Sequence, residues 1–142
     1  MHRIIYTSST SDHLSENDYR NIALKASINN KTYGITGILL FFEGGILQVL
    51  EGNQSDIEAL FKTIKKDTRH NNISKLIDHP CEEREFPAWS MGFQTISNMA
   101  DLDFVFSLTH KNLTLEMPGN QTSETHVLID TFSKIQRLNT VA

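Results

Sequence analysis

Apolar and polar positions follow a readable order through most of the chain. Ile4-Ile5-Tyr6-Thr7-Ser8 is a short apolar run closed by the polar stretch Ser9 to His13, and it reads as a first strand. Ser15-Glu16-Asn17-Asp18 has the form of a capping box, a serine followed three residues later by an acid. The helix it opens places Tyr19, Ile22, Ala23 and Ala26 on one face, and Asn29-Asn30-Lys31-Thr32 closes it. Residues 35–42 and 45–51 read as two strands joined at Glu43-Gly44-Gly45. Asn53-Gln54-Ser55 with Glu58 starts a second helix, whose apolar stripe is Ile57, Leu60, Phe61 and Ile64. After the polar exit Asp67 to Asn72, Ile73 to Ile77 reads as a fourth strand and Trp89 to Ile96 as a fifth.

The order βαββαββ predicts an α+β, ferredoxin-like sandwich with both helices on one face of the sheet. The other face also needs a cover, and residues 97–142 are expected to supply it as a C-terminal helical cap. Within that tail, Asp101 to Leu108 reads as a short helix and Pro118-Gly119-Asn120 as a break. Thr125 to Leu138 reads as an amphipathic helix with Leu128, Phe132, Ile135 and Leu138 on one side. The expected division is a domain over 1–96 and a cap over 97–142 that is not an independent domain.

A chain of 142 residues suits one hydrophobic core. A net charge of −4 argues against broad nucleic-acid binding, which depends on clustered Lys and Arg. One cysteine, Cys81, forbids an internal disulfide and cannot build a metal site alone. No apolar run approaches the ~20 residues of a membrane span, and the first residues read as a strand, not a leader. The expectation is a cytoplasmic protein without membrane or nucleic-acid partners.

Gln48 is the most informative single position. It stands inside a strand between Leu47 and Val49, on a face shared with Ile46 and Leu50. A buried primary amide needs partners for two donors and an acceptor, and each unpaired group costs about 1–3 kcal/mol. If Tyr6 lies on the same helix-covered face, a phenol and an amide meet beneath two apolar stripes. The pair reads either as a satisfied core contact or as the wall of a cavity with a polar occupant. Asn30, Asp67, Arg69 and His70 each have an ordinary role near a helix C-terminus, where left-handed geometry and cations are favoured. Trp89, Met91 and Phe93 alternate onto one face and read as core or as a wall able to repack.

The blocks Tyr6-Thr7-Ser8, Asn29-Asn30, Gly34-Ile35-Thr36-Gly37, Gln48-Val49-Leu50-Glu51-Gly52, Asp67-Thr68-Arg69-His70 and Trp89-Ser90-Met91 occur in this order over residues 2–96. Together they resemble the BLUF domain, the family of blue-light receptors that use flavin. The resemblance implies a flavin held without a covalent bond between the two helices, usually FAD, with FMN as the other candidate. It implies Ile22 and Ile64 on the two faces of the ring and Asn30 at its carbonyl edge. Asn29, Asp67, Arg69 and His70 match positions near the ring edge and ribityl chain. Thr63 stands where some relatives have a basic residue, with Lys62, Lys65 and Lys66 nearby.

The photoactive set implied is Tyr6, Gln48, Trp89 and Met91. In the mechanism that the resemblance implies, excited flavin takes an electron and then a proton from Tyr6. The Gln48 amide rotates or tautomerises, and the flavin returns chemically unchanged in a new hydrogen-bond network. The far end of Gln48 then acts on strand five through Trp89 or Met91. The protein is expected to be a sensor and not an enzyme. Its output is expected to reach a separate protein or to change a homo-oligomer, since the chain leaves no room for a catalytic domain.

Two other readings use the same fold. An acylphosphatase-like hydrolase requires an arginine-bearing anion loop after strand one, but that loop reads Ser8-Ser9-Thr10-Ser11-Asp12. A regulatory module binding a small metabolite is the other. The spacing Gly34 to Gly37 is too short for a dinucleotide-binding fingerprint.

Overall fold

The computed structural model describes residues 1–10, 14–42, 44–87, 90–96 and 125. The elements are β1 (His2–Thr10), α1 (Glu16–Thr32), β2 (Thr36–Phe42), β3 (Gly45–Gly52), α2 (Gln54–Lys65), β4 (His70–Pro80) and β5 (Gly92–Thr95). They form one five-stranded sheet in the order β4-β1-β3-β2-β5. β1, β3, β2 and β4 pair antiparallel, and β5 adds to the free edge of β2 in parallel. This is the expected βαββαββ arrangement.

Local chemistry sets each boundary. Ser15 caps α1 through the predicted box: its hydroxyl accepts from the Asp18 amide at 3.2 Å, and Asp18 accepts from the Ser15 amide at 2.8 Å. Asn53 caps α2 by accepting from the Ser55 amide at 3.1 Å. Gly44, at φ +78°, turns the β2–β3 hairpin in left-handed geometry that other residues resist. A Cβ on Gly37 would lie 1.8 Å from the Val49 carbonyl oxygen, so only glycine lets β2 and β3 meet there.

The sheet separates two apolar layers. On the helix side Ile4, Tyr6, Leu39, Phe41, Ile46 and Leu50 pack with Ile57, Phe61 and Met91, and Tyr19, Ile22, Ala26, Leu60 and Ile64 close over them. On the far side lie Ile5, Ile38, Leu40, Phe42, Leu47, Val49, Ile77, Phe86 and Ile96. The alternation read in β1 and β3 therefore assigns faces correctly, with Tyr6 and Gln48 both on the helix side.

Two boundaries differ from the sequence reading. β4 extends at both ends beyond 73–77, because the whole length of β1 is available as a pairing partner and the polar residues of β4 face solvent. Asn72 takes φ 53° where that ladder is irregular. α1 ends at Thr32, within the Asn29-Asn30-Lys31-Thr32 stretch read as its close. β5 begins at Gly92, so Ser90 and Met91 precede the strand. Trp89 and the cap expected over 97–142 lie outside the described residues, apart from Thr125, which is helical and buried. Among the described residues no helix is long and apolar enough to cross a membrane.

Candidate functional site

Tyr6 and Gln48 are directly paired on neighbouring antiparallel strands. The Tyr6 hydroxyl donates to Gln48 Oε1, and Gln48 Nε2 reaches the Met91 sulfur at 3.4 Å. All three side chains are buried. The Tyr6 ring also packs on Phe61 of α2, with ring centroids 5.4 Å apart. Burial pushes the Tyr6 phenol well above the range of a free tyrosine, and the Asp67 carboxylate adds in the same direction. The hydroxyl is therefore held as a neutral donor.

Asn30 is 1% exposed although it sits in the last turn of α1. Its Nδ2 donates to the Ser90 carbonyl at 3.1 Å, and the hydroxyls of Ser27 and Ser90 bond beside it. α1 is thus tied to the segment that leads into β5. His70 Nε2 lies 2.7 Å from the Ile64 carbonyl and must donate to it, so a neutral His70 accepts from Ser8 at Nδ1, 2.7 Å away. Asp67 accepts from the backbone and guanidinium of Arg69, and the guanidinium hydrogen bond holds the Asp67 carboxyl down at about 2.

These groups surround a cavity of about 290 Å³ between α1 and α2. Tyr6, Ile22, Asn29, Asn30, Gln48, Ile64, Asp67, Arg69 and His70 all line it, which gathers every described photoactive or flavin-binding residue implied by the BLUF resemblance except Met91. Met91 stands behind Gln48, in contact with its amide. Thr10, Leu14, Lys25, Ala26, Leu39, Phe41, Ile46, Leu60 and Thr63 complete the lining. Alternation in β2 and the α2 stripe carried a signal for Leu39, Phe41 and Leu60. Nothing in the pattern marked Thr10 or Leu14. Ser90 was read only as part of a block, and its carbonyl proves to be the partner of Asn30.

The polar lining is only partly satisfied from within. Asn30 makes a single side-chain hydrogen bond, which leaves its carbonyl oxygen without a partner among the described residues. Gln48 uses one lone pair and one N–H, leaving one of each. The Thr10 hydroxyl is buried without a partner among the described residues. Two aliphatic walls with unpaired amides at one end suit a flat heterocycle with carbonyl and N–H groups along an edge.

A sequence model of the BLUF family, described as sensors of blue light using FAD, matches residues 1–92. The chain belongs to the BLUF family. Photoactivated adenylate cyclase subunit alpha of Euglena gracilis is 33% identical over 101 residues, covering 70% of this chain and 10% of that one. The chain spans about a tenth of the length of the curated relatives it matches. Among solved structures, the dark-state BLUF protein BlrB superposes with a TM-score of 0.69 at 27% identity, covering 94% of this chain and 96% of that one. Klebsiella pneumoniae BlrP1 with FMN and cyclic diGMP gives 0.79 at 26% identity, covering 94% and 34%. The BLUF assignment places the chain in a family described as sensors of blue light using FAD and leaves the hydrolase and metabolite-module readings without support.

Proposed function

We propose that Tyr6, Gln48 and Met91 form the light-responsive relay of this BLUF photoreceptor, with FAD in the cavity between α1 and α2. The observation that carries the reading is the unbroken contact from phenol to carboxamide to thioether at one end of that cavity. Ile22 and Ile64 would hold the faces of the ring, Asn30 and Gln48 its carbonyl edge, and Asn29, Asp67, Arg69 and His70 the remaining edge and ribityl chain. A volume of about 290 Å³ lies at the low end of ~300–1,000 Å³ small-molecule pockets, enough for a tricyclic head with its tail outside. FMN would satisfy the same contacts, whereas the family description favours FAD.

When bound, the flavin supplies blue-light absorption and an excited state that accepts an electron. Tyr6 would be the residue that supplies the electron and its phenolic proton and recovers both. Gln48 Oε1 is the acceptor the phenol already faces. Reversal of the amide presents N–H groups to Tyr6 and an oxygen to the Met91 sulfur, so the contact with Met91 is lost. Each exchanged hydrogen bond is worth about 1 kcal/mol, and about 1.4 kcal/mol changes a partner's affinity tenfold.

The remaining assignments follow from this relay. Residues 1–96 are the sensor and 97–142 a cap that carries the change outward, a division supported by the family match ending at residue 92. The chain acts as a sensor and not as a catalyst, and its signal passes to a separate protein or to a second copy. Trp89 belongs to the photoactive set by its place in the Trp89-Ser90-Met91 block. The test is a light-minus-dark difference spectrum of protein loaded with FAD or FMN. A reversible red shift in both supports the reading, and an unchanging spectrum overturns it.

A further inference from the structure

Glu51 lies on β3 three residues beyond Gln48, with its side chain fully buried. The carboxylate accepts from Arg3 Nε at 3.0 Å and Nη2 at 2.8 Å. It also accepts from the backbone amides of Glu85, at 2.9 and 2.8 Å, and Phe86, at 2.9 Å. Arg3 Nη2 donates to the Glu83 carbonyl at 2.9 Å. Arg84 Nη1 donates to the Glu51 carbonyl at 3.1 Å and to the Thr36 hydroxyl at 2.7 Å. Every hydrogen bond in this set joins the segment Glu83–Phe86 to β1, β2 or β3, or holds the carboxylate that does so.

The same segment runs on to Ser90 and Met91, which touch Asn30 and Gln48. Ser90 lies four residue steps beyond Phe86, a span of at most ~14 Å even when fully extended. Phe86 is 2% exposed in the far-side layer and Met91 is 6% exposed in the helix-side layer. Phe86 and Met91, five positions apart in sequence, therefore belong to opposite faces of the sheet. Both anchors of the segment sit on β3, at Glu51 and at Gln48. A buried carboxylate with this many charge-assisted bonds tolerates little displacement, since an unpaired buried charge is far more costly than an unpaired neutral group.

We propose that Glu51 is a positioning residue for the photocycle: by fixing Glu83–Phe86 it sets the seat of Met91 against the Gln48 amide, and so sets how readily the dark arrangement is restored. This rests on the relay proposed above. Recovery requires Met91 to return to Gln48 Nε2, and a loosened tether lowers the fraction of time it spends there.

The test compares wild type with Glu51→Gln and Arg84→Gln, all flavin-loaded, and uses two readouts. In dark protein carrying 13C-methyl methionine, the Met91 methyl resonance is expected to move or broaden in both variants, while the signals of Met1, Met99 and Met117 stay in place. After illumination, dark recovery is expected to slow by roughly threefold or more, and to slow no further when either change is added to Met91→Ala. A Met91 resonance and a recovery rate both unchanged, beside a lowered melting temperature, would make Glu51 a stability residue only and overturn the proposal. Slowing that adds to that of Met91→Ala overturns it as well. If Glu51→Gln does not fold, Arg84→Gln decides, because Arg84 is only half-buried. A wild type without any light response would defeat the relay, and the methyl spectrum would still decide whether Glu51 seats Met91.

Discussion

Tyr6 and Gln48 face each other in register on β1 and β3, and the phenol donates to the carboxamide oxygen. Their meeting is therefore fixed by strand pairing, which leaves only the direction of the amide to vary. Removing the hydroxyl should spare the cavity and stop the relay. Tyr6→Phe is expected to bind flavin within about twofold of wild type, to lose the reversible red shift, and to cost about 1–3 kcal/mol in urea denaturation from the orphaned Gln48 oxygen.

Gln48→Leu keeps the volume and removes both ends of the contact. Loading should survive through Asn30 and the aliphatic walls, and the difference spectrum should be flat. A wild-type shift in this variant would remove Gln48 from the mechanism.

Met91→Leu is a volume-conserving change expected to cost less than about 1.5 kcal/mol. It removes the sulfur that Gln48 Nε2 reaches at 3.4 Å. The red shift should persist, because the phenol and amide are intact, and the dark-recovery rate should change. An unaltered rate would show that the sulfur is not part of the return step.

Two acids that line the cavity, Tyr6 and Asp67, predict different responses to pH. Burial keeps the Tyr6 phenol neutral, so the light response should be undiminished at about pH 10, where an exposed tyrosine ionises. Asp67 titrates near 2 in the folded chain, below a free carboxyl near ~3.9. Its pairing with Arg69 contributes fully above about pH 4 and is lost as pH falls toward 2. Flavin retention, followed by the fluorescence of released chromophore, should be level from about pH 8 to pH 5 and decline below 4. Asp67→Asn should weaken retention in the upper range and flatten that decline.

Gly37→Ala should be among the most damaging small substitutions. Its methyl would meet the Val49 carbonyl oxygen at 1.8 Å, one residue from Gln48. β2 and β3 would have to part, and little folded protein is expected by circular dichroism.

Periodicity exposed the sheet and both helices because each buries a single face. Alternation put Tyr6 and Gln48 on one side, and the spacing of Ile22 and Ile64 put both on helix faces turned toward them. Edges were less legible. β4 gains its outer residues from backbone pairing with β1, which is indifferent to side-chain type, so the polar residues His70 to Asn72 read as a loop. The role of Glu51 was invisible for a similar reason: two of its four donors are backbone amides of a distant segment, and such groups leave no mark on the sequence.

Among the described residues, β5 hangs on the sheet by one neighbour, over four residues, at its outermost position. Phe93 pairs with Leu39, the residue whose other partner is Gln48. A side-chain event in the middle of the protein is thus only two strands from the margin, at the place where lifting a strand disturbs the fewest ladder bonds. Under the proposed relay, light would alter the outline of the molecule there while its centre stays folded.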